Sequence, residues 1–117
     1  MIQISSDVIR GYNDTMILFI LKNEPSYGYE ISKQIKSISD EKYVIKETTL
    51  YSAFTRMEKN GYIKSFVKEA EGNGKKRTYY EITELGEEYY KEKCEEWHLT
   101  KDVVERFIME EMSGGDN

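Results

Sequence analysis

The stretch Glu47-Thr48-Thr49-Leu50-Tyr51-Ser52-Ala53-Phe54-Thr55-Arg56-Met57-Glu58-Lys59-Asn60-Gly61 decides the fold. Leu50, Ala53, Phe54 and Met57 recur at three- to four-residue spacing, which places them on one buried face of a helix. The opposite face carries Thr48, Thr49, Tyr51, Ser52, Thr55, Arg56 and Lys59. Short hydroxyls, a phenol and two cations build a poor core, but they suit hydrogen bonding to phosphates and to base edges in a major groove. Asn60-Gly61 then ends the helix, because glycine takes the left-handed cap conformation without a Cβ penalty.

Residues 62–68 and 77–83 are rich in aromatic and β-branched side chains that roughly alternate, so they read as an antiparallel hairpin. Its loop, residues 69–74, is too small and polar to pack, and Lys75, Lys76 and Arg77 bring three positive charges to the start of the return strand. A flexible tip beside cations is what a wing needs to lie along a phosphate backbone or enter a minor groove. Alone, such a tip is equally well a solvated turn. Joined to the preceding helix, it points to a winged helix that grips DNA.

Composition bounds the rest. A chain of 117 residues holds one domain, or one domain and an appendage, around a modest core. One cysteine, Cys94, allows no disulfide within the chain, and no stretch approaches a membrane span or a signal core. A cytoplasmic protein with no membrane partner is expected. No glycine-rich phosphate loop, nucleophile motif or convergent acid pair stands out, so neither an enzyme with catalytic residues nor a cofactor is expected. Cys94 and His98 share a helical face four residues apart, but one Cys and one His are too few ligands for zinc, and no metal is expected.

The net charge of −5 is unevenly spread. Residues 1–83 hold 13 Lys/Arg against 11 Asp/Glu, a net +2, whereas residues 84–117 hold 4 against 11, a net −7. A DNA-facing surface and an acidic distal element can coexist, because exposed charges more than about 10 Å apart are largely screened.

Upstream, residues 6–23 read as a first helix whose segment Met16-Ile17-Leu18-Phe19-Ile20-Leu21 is apolar all round. A small domain offers one core, so the second apolar face calls for a partner, most economically a second copy of the chain. Ser26 reads as N-cap of a second helix with Tyr27/Gly28, Ile31, Ile35 and Ile38 inward, and Tyr43-Val44-Ile45 reads as a short extended piece. Lys33 and Lys36 lie off that stripe.

Thr83 can cap a long helix over residues 84–112, about 40 Å at 1.5 Å per residue. Tyr90, Cys94, Trp97, Lys101, Val104 and Ile108 follow heptad spacing along it. The seam is imperfect, since Cys94 is small and Lys101 charged, so two such helices crossing leave space beside Trp97. A lone Trp is as often core as ligand platform.

Three ordered motifs carry a family resemblance: Ser26-Tyr27-Gly28-Tyr29-Glu30-Ile31; Thr48-Thr49-Leu50-Tyr51 with residues 56–63; and Gly74-Lys75-Lys76-Arg77-Thr78-Tyr79-Tyr80-Glu81-Ile82-Thr83-Glu84-Leu85-Gly86. Together they resemble the PadR family of bacterial transcriptional regulators over residues 9–112. The single C-terminal helix with Glu95-Glu96-Trp97 resembles the compact branch that includes a lactococcal multidrug-responsive repressor. The resemblance implies a mainly α fold with a small β-hairpin, a winged helix-turn-helix over residues 1–83 and a dimerisation helix over 84–112; the polar end, residues 113–117, is expected from its composition to be a disordered tail.

It also implies a ligand-responsive repressor, bound as a homodimer to an inverted-repeat operator in double-stranded DNA. Thr48, Thr49, Tyr51, Ser52, Thr55, Arg56, Lys75, Lys76 and Arg77 are the expected DNA contacts. Met16, Phe19, Ile20, Val104, Phe107 and Ile108 are expected in the dimer interface. A planar aromatic effector is expected at the dimer centre against Trp97, Cys94, Lys93, Lys101, Tyr90 and Phe19. Cys94 stands where the multidrug relative has an aromatic, Lys101 where it has an acid and Phe19 where it has a small polar residue, which shifts the expected effector from cations to neutral or anionic aromatics. The rival reading is a winged-helix protein-interaction module without DNA function.

Overall fold

A computed structural model of the chain describes residues 2–70, 72 and 74–112, with side chains as far as Ile108. In chain order it contains α1 (Ser6–Ile9), a 3-10 turn (Arg10–Tyr12), α2 (Asn13–Asn23), β1 (Ser26–Tyr27), α3 (Gly28–Ile38), α4 (Glu47–Lys59), β2 (Ile63–Glu69), β3 (Lys76–Ile82) and α5 (Glu84–Met112). The expected tail, residues 113–117, lies outside the described residues, as do Glu71 and Asn73 of the hairpin loop.

Helix α4 has the expected bounds and buries Leu50, Ala53, Phe54 and Met57; Lys46, at its N-cap, provides no side-chain cap. Its stop is a Schellman motif. The Tyr62 N–H donates to the Met57 carbonyl at 2.9 Å and the Gly61 N–H to Glu58 at 3.1 Å, with Gly61 at φ +83. Ile17, Leu18 and Leu21 of α2, Ile31 and Ile35 of α3, Ile45 and Ile63 close the core around this face. Phe54 stacks on Tyr80 of β3 at 4.0 Å between ring centres, which fixes α4 against the sheet.

Four expectations are corrected. The first helix is not continuous: it tightens into a 3-10 turn at Arg10–Tyr12, where Gly11 weakens the α-helix. Just beyond, Asn13 Oδ1 accepts from the Tyr43 hydroxyl at 2.7 Å. Ser26 is not a helix cap but a buried strand residue opposite Tyr80, and α3 starts behind Tyr27 with no side-chain cap. The third strand is therefore β1, giving the sheet order β1-β3-β2, and Tyr43-Val44-Ile45 is a loop that drops Ile45 into the core. Ile38, the last residue of α3, has passed the core and is 61% exposed.

Helix α5 begins as expected. Thr83 Oγ1 accepts from the Gly86 N–H at 3.0 Å and donates to the Gly61 carbonyl at 2.6 Å, so one hydroxyl joins the start of α5 to the end of α4. From there α5 runs out of the body and gives the molecule its 64 Å length against widths of 32 and 22 Å.

Candidate nucleic-acid interface

Each turn of α4 presents side chains in three directions. Thr48, Ser52, Thr55 and Lys59 lie opposite the buried stripe and are exposed. Thr55 spends its hydroxyl proton on the Tyr51 carbonyl at 3.0 Å, leaving its oxygen and methyl outward.

Tyr51 lies on the flank toward α3. Its ring meets Phe54 edge-on at 5.4 Å, and its hydroxyl is 2.2 Å from where a Cβ on Gly28 would stand. A Cβ there would force the phenol to turn away, which accounts for the small residue inside the Tyr-Gly-Tyr motif.

Thr49 and Arg56 lie on the other flank, toward α2 and α5. With Arg10, Asp14, Tyr89 and Lys93 they border a cleft of about 560 Å³. The Arg56 guanidinium is already engaged, donating to Asp14 Oδ1 in a close ion pair; the arginine side chain is 49% exposed and the aspartate 11%. The sequence pattern marks Arg56 as outward-facing and gives no sign of Asp14, which sits in the first turn of α2, 42 residues away.

The wing is a seven-residue pairing in which Lys68 faces Arg77 and Glu69 faces Lys76. Ala70, buried at its tip, closes the loop by donating to the Lys75 carbonyl at 2.5 Å. Lys75 and Lys76 are exposed. Arg77 instead lies over the Tyr27 ring at 4.3 Å, and Lys68 over Tyr79 at 5.1 Å, on the outer face of the sheet. Ser65 donates to Glu58 at 2.6 Å, fixing the wing's outgoing strand to α4.

The residues expected to hold an aromatic effector divide into two groups. Trp97 stands half-exposed on α5 with its indole edge-on to Tyr12 at 5.2 Å. The Tyr90 phenol is pushed above its usual range, by burial first and by the neighbouring Cys94 thiol second. Lys22 covers the Tyr90 ring at 4.8 Å. Lys93 turns the other way, bound to Glu96 at 2.9 Å and 5.5 Å from the Tyr89 ring centre; its ammonium is held above its usual range chiefly by Glu96. Lys101 is exposed.

Of the residues expected between protomers, Ile20 is 3% exposed within its own core, whereas Phe19 is 44% and Phe107 76% exposed. Met16 and Phe19 form one wall of an apolar groove of about 320 Å³ closed by Ile38 and Tyr90. Val104 and Ile108 stand exposed on the distal half of α5. Among the described residues no group of three or more His, Cys, Asp or Glu side chains gathers as metal ligands, and no helix is long and apolar enough to cross a membrane.

Residues 17–92 match the transcriptional regulator PadR-like family. The chain is 39% identical over 105 residues to an uncharacterised protein of Lysinibacillus sphaericus, covering 90% of this chain and 95% of that one. Among solved structures, a transcriptional regulator from Clostridium thermocellum is 64% identical, with a TM-score of 0.83 over 88% of this chain and 99% of its own. A PadR family transcription regulator from Clostridium difficile is 36% identical, with a TM-score of 0.72 over 83% and 98% of the two chains.

Proposed function

Because the chain belongs to the PadR-like family of transcriptional regulators, we propose that it is a ligand-responsive repressor that binds an inverted-repeat operator as a symmetric dimer. The observation that carries the DNA half of this reading is the outward row Thr48, Ser52, Thr55 and Lys59 on α4, beside a wing whose tip carries exposed Lys75 and Lys76. The row offers hydrogen-bonding groups to base edges; the wing offers charge to phosphates. Tyr51, Thr49 and Arg56 flank that row and reach DNA from its sides.

The groove between Met16, Phe19, Ile38 and Tyr90 and the exposed Val104, Phe107 and Ile108 support a twofold dimer in which each distal α5 lies on the other protomer. In that arrangement Ile20 supports the groove from beneath. Trp97 approaches its mate near the axis, with Cys94 small enough to leave room for a planar ring between the two indoles. Lys101 favours a neutral or anionic aromatic there, while Lys93, already bound to Glu96, contributes less. A regulator of this kind works inside the cytoplasm, on double-stranded DNA.

Selection of bound duplexes from a random pool tests the reading. The expected product is an inverted repeat with half-sites about one helical turn apart. A chain that retains no duplex at low salt is an interaction module instead. The effector is tested on the intrinsic fluorescence of Trp97, the only tryptophan: planar aromatics are expected to quench it, and Trp97→Ala to lose ligand while keeping DNA.

A further inference from the structure

The Asp14 carboxylate is almost entirely removed from water and divides its two oxygens between two different helices. Oδ1 accepts from the Arg56 guanidinium of α4, and Oδ2 accepts from the Tyr89 hydroxyl of α5 at 3.2 Å. Arg56 compensates the buried charge, and the Tyr89 hydroxyl satisfies the oxygen that Arg56 leaves, so together they fix the carboxylate in one orientation.

The same end of α5 is fixed to the far end of α4. The Tyr89 ring stacks on Tyr62 at 3.9 Å with only 5° between planes, and Tyr62 is the residue that closes the α4 stop. A Cβ on Gly86 would stand 2.0 Å from the Tyr62 carbonyl oxygen, so the first turn of α5 lies directly on that backbone. The first turns of α5 therefore cannot shift relative to α4 without breaking the stack, the Thr83 cap or the Tyr89–Asp14 hydrogen bond.

We propose that Asp14 is a positioning residue that sets the pose of Arg56 for reading DNA and makes that pose depend on where α5 lies. A guanidinium has five N–H donors in a rigid plane. Asp14 takes the Nη2 end and thereby aims the remainder, half of the side chain being exposed, past the flank of α4. Tyr89 holds the second carboxylate oxygen and so fixes the plane from which Arg56 is aimed. A displacement of α5 that withdraws Tyr89 lets the carboxylate turn, and Arg56 with it. The inference rests on the reading of α4 as the DNA-recognition helix.

The test compares the full-length chain with Asp14→Asn, Tyr89→Phe, Arg56→Ala and the two combinations with Arg56→Ala. Affinity is measured for a labelled duplex selected by the wild-type chain and for a random duplex, over a range of salt. Asp14→Asn is expected to lower the preference for the selected duplex about tenfold, the worth of one well-placed arginine contact. It should also steepen the salt dependence on random DNA by about one unit of slope, because Arg56 becomes free to neutralise a phosphate. Tyr89→Phe removes one hydroxyl and no charge; it should lower the preference in the same direction and leave the salt slope unchanged. With Arg56→Ala in place, neither change should lower the preference further.

A loss of preference that is equally large without Arg56, or no loss in either single variant, overturns the proposal. If Asp14→Asn does not fold, Tyr89→Phe and its combination with Arg56→Ala decide alone. A wild-type chain that selects no duplex from a random pool and retains none at low salt overturns the DNA reading and this proposal with it, whereas wild-type binding with unaffected variants removes the Asp14 role only.

Discussion

The Tyr51 hydroxyl occupies the space in which residue 28 would carry its Cβ, at 2.2 Å from that position, so the flank of α4 and the first turn of α3 fit in this arrangement because residue 28 is glycine. Gly28→Ala is expected to displace the phenol and cost about 1–3 kcal/mol, the usual range for overpacking a tight contact. Calorimetric unfolding checks this. In the double variant with Tyr51→Ala the obstruction is gone, so the combined loss should fall short of the sum of the two single losses.

Gly86→Ala should be worse. There the obstacle is the Tyr62 carbonyl at 2.0 Å, a backbone atom that cannot turn aside as a phenol can. The expected result is a lower unfolding midpoint than that of Gly28→Ala, together with weaker amide-exchange protection in the first turns of α5 than in the wild type. A Gly86→Ala chain as stable as wild type would mean that α5 does not lie against Tyr62.

Asp40 and Glu41 take successive left-handed conformations, φ 55 and 62, in the turn that leads from α3 toward α4. Aspartate tolerates this region better than glutamate, and the Lys36–Glu41 pair, at 4.0 Å between exposed groups, returns little. Glu41→Gly relieves the strain but enlarges the freedom of the unfolded chain, for a net gain of about 0.5–1 kcal/mol. Urea midpoints of Glu41→Gly and Asp40→Gly check it, with the larger gain expected at Glu41.

Alkaline pH should weaken the fold through its tyrosines. Burial is the largest cause of raised phenol values at Tyr43, Tyr80, Tyr89 and Tyr90, and at Tyr89 the Asp14 charge adds to it. The folded chain thus holds these protons to higher pH than the unfolded chain, whose tyrosines titrate near 10.0. The stabilisation is complete below that value and is lost as pH rises through the raised folded values. Urea midpoints measured from about pH 8 to 11 should fall at the upper end, and Tyr89→Phe should fall less.

Much of this architecture was legible because it is periodic or local. The α4 stripe repeats every three to four residues, the Asn60-Gly61 stop is two letters long, and Thr83 lies three residues before the Gly86 N–H it caps. Strand β1 was hidden because two residues have no periodicity; Ser26 belongs to the sheet only because Tyr80 stands opposite. Asp14 was hidden for a related reason. Its partners Arg56 and Tyr89 are 42 and 75 residues away, and no spacing rule along the chain joins them. The flanks of α4 likewise read as one outward face in the sequence, since the pattern separates core from surface but not the side toward α3 from the side toward α5.

The distal half of α5 supplies the last prediction. Val104 and Phe107 lie on the part of the helix beyond Tyr12 and Trp97, and both are exposed in the single chain. Their replacement together by serine adds no charge and removes nothing from the protomer's core. If this half of α5 lies in the groove of a second copy, the double variant should sediment as a monomer at concentrations where the wild type is a dimer, with unchanged helix content. Its affinity for random DNA should fall too, with a shallower salt dependence, because a monomer neutralises about half as many phosphates. Its affinity for a selected inverted repeat should fall by orders of magnitude, because the second half-site is no longer bound at a high effective concentration. A double-serine chain that remains dimeric would place the dimer contacts elsewhere than on Val104 and Phe107.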